Sequence, residues 1–134
     1  TNQGLLVTAA TIYMSLLGAD GLANVARACH ANTQALVRKL TENDCVRPLF
    51  DRPAFHEVVL QFSLPLSGVL PSLHAHNLLP GYDLSKEYPE LGDALLVCAT
   101  ETRTAADINL YADHLNRIID SQPAAGSTVQ PKSA

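Results

Sequence analysis

The chain of 134 residues is long enough for one ordinary domain and too short for two. With 47% hydrophobic and 16% charged residues and a net charge of -4, it is neither wholly disordered nor a polycation suited to nucleic acid. No uninterrupted apolar run approaches the roughly 18 residues that would span a bilayer, so a soluble protein with no membrane partner is expected.

The chain opens at Thr1 without methionine, runs almost at once into an amphipathic pattern, and reads as a cut piece. Leu5, Ala9, Ile12, Leu16 and Leu17 recur at helical spacing, predicting a helix over 4–17 that stops at Gly18. After a Gly18–Gly21 break, with Asp20 as N-cap, a second helix ends near Asn43; its face carries Leu22, Val25, Ala26, Cys29, Thr33, Leu36, Val37 and Leu40. Cys45–Phe50 and Phe55–Phe62 read as an antiparallel strand pair, the second placing His56, Val58, Leu60 and Phe62 on one face, and Pro48 assigns the first to a sheet edge. Residues 67–77 form a shorter helix capped by Ser67, with Val69, Leu70, Leu73 and His76 or Asn77 inward and Pro71 near its first turn. A polar loop from Leu79 to Gly92 leads to Ala94–Ala99, an apolar run expected as a central strand buried on both faces. Thr104 and Asp107 have capping-box spacing ahead of a helical stripe of Ile108, Tyr111, Ala112, Leu115, Ile118 and Ile119. Residues 1–120 are thus one α+β domain, a small and largely antiparallel sheet covered by helices. Residues 121–134 lack periodicity and are expected to form a disordered tail.

Little in the chain has the spacing of a catalytic centre. Cys29, Cys45 and Cys98 are odd in number and have no CxxC pairing, so buried, reduced thiols are expected. His74 and His76 lie two apart, about 200° around a helix, and cannot chelate one ion; His30 and His114 stand alone, and His56 and Glu57 point to opposite strand faces. Glu57, Glu87, Glu90 and Glu101 are not paired on any element, and no metal or catalytic residue is assigned. Glu101 and Arg103 flank Thr102 just after the central strand, a position where such folds place functional groups. The sequence has no nucleophile elbow, phosphate loop or dinucleotide fingerprint. None of Lys39, Lys86 and Lys132 has the buried setting that a Schiff-base lysine needs.

Three stretches in order carry a resemblance. Thr1-Asn2-Gln3-Gly4-Leu5 is similar to the end of an NICTNQ-type segment. Phe55-His56-Glu57-Val58-Val59 is similar to an FNEF-type strand, with His where Asn is usual. The run from Tyr88-Pro89-Glu90-Leu91 to Ala94-Leu95-Leu96-Val97-Cys98-Ala99-Thr100-Glu101-Thr102-Arg103-Thr104 is close to a YPEL...ALLVCVTETRT signature. Together they resemble glycine decarboxylase, the P-protein of the glycine cleavage system, and more narrowly its first subunit where the enzyme is split in two.

The resemblance implies the small carboxy-terminal domain of a fold-type I pyridoxal-phosphate enzyme, with residues 4–17 as the inter-domain helix. The reaction it implies is decarboxylation of glycine and transfer of the aminomethyl group to the lipoyl H-protein. In such an enzyme the cofactor lysine belongs to subunit 2, and subunit 1 completes the site. The piece itself would then be inactive, hold no cofactor, and belong in the cytoplasm. Thr1, Asn2 and Gln3 are the residues expected nearest the substrate cleft, because that motif joins the two domains. With the large domain absent, residues 4–17 are expected to drive self-association into a homo-oligomer. Two other readings remain at this point, a stand-alone α+β interaction module and the small domain of another fold-type I aminotransferase.

Overall fold

A computed structural model describes residues 3–121. Thr1 and Asn2 and the predicted tail beyond Ser121 lie outside the described residues. The elements run α1 (Gly4–Leu40), β1 (Val46–Pro48), β2 (Glu57–Phe62), α2 (Leu66–Ala75), β3 (Tyr82–Asp83), a 3-10 turn (Pro89–Leu91), β4 (Ala94–Cys98) and α3 (Ala105–Ser121). The four strands are antiparallel in the order β1-β2-β4-β3. β4 is therefore central and β1, with Pro48, lies at an edge, both as the sequence predicts.

The helices cover one face of this sheet. Val58, Leu60 and Phe62 of β2 stand beside Leu95 and Val97 of β4 and meet Leu36 and Leu40 of α1, Val69 and Leu73 of α2, and the whole predicted stripe of α3. The α3 stripe from Ile108 to Ile119 is buried as read from its spacing. The capping box is present and reciprocal: Thr104 N–H donates to Asp107 Oδ2 at 2.8 Å, and Asp107 N–H donates to Thr104 Oγ1 at 3.2 Å.

Several expectations are corrected. The break before the second helix is one residue, Gly18 (φ 64°, ψ -175°), and the helix resumes at once, so Asp20 is a first-turn residue instead of a cap. The helix stops at Leu40, where Thr41 Oγ1 returns to the Val37 carbonyl at 2.8 Å; Asn43 then accepts the Cys45 N–H at 3.0 Å, which turns the chain into β1. Ser67 does not cap α2. Its start is at Leu66, whose N–H is taken by Asp93 Oδ1 at 2.9 Å, a carboxylate just ahead of the neighbouring strand β4. His76 and Asn77 are exposed instead of inward, and Pro71 lies inside α2, beyond its first turn.

The stretch 79–92 is not all loop, since Tyr82 and Asp83 add an edge strand to β4. Gly81 (φ 150°) precedes it, pressed against the Leu96 carbonyl where a Cβ would collide. β4 is covered on one face only. On the outer face Leu96 is half-buried and Cys98 exposed, beside Val59 and Glu57, and only the Ala94 end is capped by the turn at Leu91, whose carbonyl accepts from Gln61 at 3.1 Å. Cys29 is buried, Cys45 half-buried and Cys98 exposed, so buried thiols describe one of the three. Ser121, placed in the tail by sequence, ends α3 with its hydroxyl on the Ile118 carbonyl at 2.8 Å.

An 18-residue stretch of α1 has a mean hydropathy of 1.5 and is not buried in the domain, so by length and composition one helix could cross a membrane. Thr8, Thr11 and Ser15 interrupt the stretch, so it holds no unbroken apolar run.

Candidate functional site

The loop Thr100–Thr104 joins central β4 to α3 and is held by one face of α1. Cys29, Asn32 and Thr33 lie at i, i+3 and i+4, so all three point the same way. Thr33 is fully buried. Its Oγ1 accepts the Ala99 N–H at 3.1 Å and donates to the Ala99 carbonyl at 2.9 Å, with the His56 carbonyl at 3.2 Å sharing that proton. Asn32 donates both amide hydrogens, to the Thr100 carbonyl at 2.9 Å and the Arg103 carbonyl at 2.8 Å. The Cys29 thiol donates to Glu101 Oε2 at 3.3 Å; burial, and then this bond to a carboxylate, push its pKa up. A polar stripe on a helix thus supplies the backbone partners that the end of a strand lacks.

Within the loop, Thr100 and Thr102 share a hydroxyl contact at 3.0 Å, and the Arg103 guanidinium donates to Thr102 Oγ1 at 3.1 and 3.3 Å. Arg103 has no carboxylate within ion-pair reach among the described residues, where Lys39 and Glu42 make the single ion pair. It borders an open cleft of ≈ 360 Å³ whose apolar lining includes Leu36, Leu78, Pro80 and Tyr111. Tyr111 spans the floor, its hydroxyl on the Pro80 carbonyl at 3.0 Å, and burial raises its pKa well above the ordinary phenol value. The cleft sets the Arg103 guanidinium and the Asp107 carboxylate among apolar side chains, an arrangement suited to binding and positioning a polar group.

The remaining candidates are scattered. Glu87 accepts the Tyr82 hydroxyl at 2.8 Å, a bond that raises the Tyr82 pKa; Glu90 lies in the exposed 3-10 turn and Glu57 on the outer sheet face. His30 reaches the Phe55 carbonyl at 3.0 Å and stacks on the Phe55 ring. His76, paired with His74 by spacing, lies instead against His114, with ring centroids 4.2 Å apart. Spacing could not have found this pair, since the two come from different helices. No group of three or more metal-ligating side chains forms among the described residues. Gln3 is exposed at the head of α1, its carbonyl taken by the Val7 N–H at 2.9 Å.

Pyridoxal phosphate needs an enclosed amine. Lys39 is on the surface 3.9 Å from Glu42, Lys86 is exposed, and Lys132 lies outside the described residues. The described residues therefore do not fit that cofactor.

These features define an α+β domain with helices over one face of a small antiparallel sheet and a loop clamped at the end of its central strand. The crystal structure of a glycine decarboxylase (P-protein) of the glycine cleavage system, in inhibitor-bound form, superposes with a TM-score of 0.73 at 25% identity, over 80% of this chain and 24% of that one. Residues 1–115 match the family described as Glycine cleavage system P-protein, and the chain belongs to that family. It is 52% identical over 120 residues to a probable glycine dehydrogenase (decarboxylating) subunit 1 of Methylococcus capsulatus, covering 90% of this chain and 26% of the relative. It is 50% identical over 119 residues to the protein of that name in Nitrosospira multiformis, covering 89% and 26%. The chain thus spans about a quarter of the length of the curated relatives it matches.

Proposed function

We propose that this chain serves as the small carboxy-terminal domain of subunit 1 of glycine dehydrogenase (decarboxylating), acting in the cytoplasm. The subunit would work with subunit 2 and the lipoyl H-protein to decarboxylate glycine and pass on its aminomethyl group. The observation that carries the reading is the 52% identity to a subunit 1 relative over nearly all of the described domain. The exposed lysines support assigning pyridoxal phosphate, which supplies the electron sink for decarboxylation, to the partner subunit. The work of this chain is positional. Asn32 and Thr33 fix the Thr100–Thr104 loop, and the loop fixes Arg103 beside the cleft. In this reading Gln3, with Thr1 and Asn2, lies near the junction with the large domain.

Exchange of glycine carboxyl with labelled bicarbonate, in the presence of H-protein, tests the proposal. Full-length subunit 1 carrying this sequence should be required alongside subunit 2, and the 134-residue chain alone should be inactive. Full exchange by subunit 2 without subunit 1 would overturn it.

A further inference from the structure

His76 and His114 meet ring to ring where α2 ends against α3, with centroids 4.2 Å apart and planes tilted by 31°. The backbone fixes this approach. The N–H groups of His76, Asn77 and Leu78 close the end of α2 on the carbonyls of Leu73 at 3.0 Å, His74 at 2.9 Å and Leu73 again at 3.1 Å. Asn77 takes the left-handed conformation (φ 59°) that such a closure needs, which Asn tolerates. His114 is carried by a regular turn of α3, beside the buried Leu115. Both Cα positions are thus held by the fold, while the His76 ring is exposed and the His114 ring half-buried. Among the described residues neither ring makes a hydrogen bond or an ion pair; His30, on the Phe55 carbonyl, is the histidine that does. The ring nitrogens of the pair are therefore open to a ligand.

The spacing suits one kind of ligand. With imidazole nitrogens about 2 Å from a shared ion, two ring centroids lie about 4.5 Å apart at a right angle and about 5.2 Å apart at a tetrahedral angle. The observed 4.2 Å is near the first value and well short of the second. Right-angled positions belong to divalent copper and nickel, both of which favour imidazole, whereas zinc in protein sites is usually tetrahedral. The rings need only turn about their Cβ–Cγ bonds, a broad torsion, to aim one nitrogen each at the same point. We propose that His76 and His114 are the two protein ligands of a surface site for a divalent copper or nickel ion, with water in its remaining positions. The ion joins the end of α2 to α3. Asn77, the next residue, and Leu110, one turn back along α3, line the cleft beside Arg103, so a bound ion stiffens the rim of that cleft.

Calorimetric titration of nickel(II) chloride into the full-length protein that carries this sequence tests the proposal. His76→Asn and His114→Asn should each weaken one site of the parent by at least about 100-fold, because the second ligand of a chelate acts at high effective concentration. His74→Asn should leave that site unchanged, since His74 has no second imidazole against it among the described residues. A parent with no site that responds to both changes, or equal weakening by His74→Asn, would overturn the assignment. If a variant fails to fold, copper(II)–ascorbate footprinting of the wild-type protein decides. Oxidation mapped by mass spectrometry should fall on His76 and His114 ahead of His30 and His74. Uniform oxidation of the four would overturn the proposal.

Discussion

Replacing Thr33 by valine removes one hydroxyl and keeps the shape. The side chain is fully buried, so no water replaces what is lost. The Ala99 N–H, now bonded at 3.1 Å, becomes an unpaired buried donor, a loss of about 1 to 3 kcal/mol, and the Ala99 carbonyl loses a bond worth about 1 kcal/mol. Against this the extra methyl returns a fraction of a kcal/mol of apolar burial, leaving a net loss of about 2 kcal/mol. For a domain of this size the loss lowers Tm by about 8 °C. Thermal and urea melts of parent, Thr33→Val and Thr33→Ser measure it. Serine keeps the bonds and gives up one buried methyl, so it should cost about 1 kcal/mol and rank between the other two. A valine variant within about 0.5 kcal/mol of the parent, or less damaging than serine, would refute the claim that this hydroxyl ties the strand end to the helix.

Asn32→Asp sets a carboxylate oxygen against two carbonyls and should release the loop, seen as faster amide exchange at Arg103, whose N–H now bonds the Thr100 carbonyl at 3.1 Å. Bonds from the Thr104 backbone N–H and then its hydroxyl hold Asp107 below its ordinary pKa, so the carboxylate contributes stability above about pH 4 that is lost as acid protonates it in the fold. Thr104→Ala keeps the backbone N–H bond and loses those of the hydroxyl, so it should flatten the acid limb of a Tm–pH profile in part and lower Tm at neutral pH. Gly81→Ala drives a Cβ into the Leu96 carbonyl and should lower Tm by more than about 8 °C with loss of β3 protection. Borohydride trapping of pyridoxal phosphate on the 134-residue chain should yield no stoichiometric adduct; one on Lys86 would contradict its exposed placement.

What the sequence made legible was local. The α3 stripe repeats over several turns and its cap is encoded within four residues, so both could be read directly. Gly18 could be read as a stop, but not that one residue sufficed to turn the helix. β3 has two residues, fewer than any alternation needs to show itself. The cap of α2 comes from Asp93, 27 residues away, and a side chain so distant leaves no trace near Ser67. The loop at Glu101 and Arg103 could be picked out by its place after the central strand. The clamp that holds it could not, because Thr33 read as one more member of an inward stripe and Asn32 lies outside that stripe. Their partners are 66 to 71 residues along the chain.

Those separations bear on the order in which the molecule assembles. During synthesis the second half of α1 emerges long before β4, so Thr33 has neither of its Ala99 partners until some 65 further residues have been made. Helix and central strand are joined late, after the β1–β2 hairpin has had time to close, and closing so large a loop slows the search. A nascent chain halted before Ala94 carries a helix with no sheet centre to dock on. Trigger-type chaperones that shelter apolar helices would be retained on such a chain until the last strand and α3 arrive.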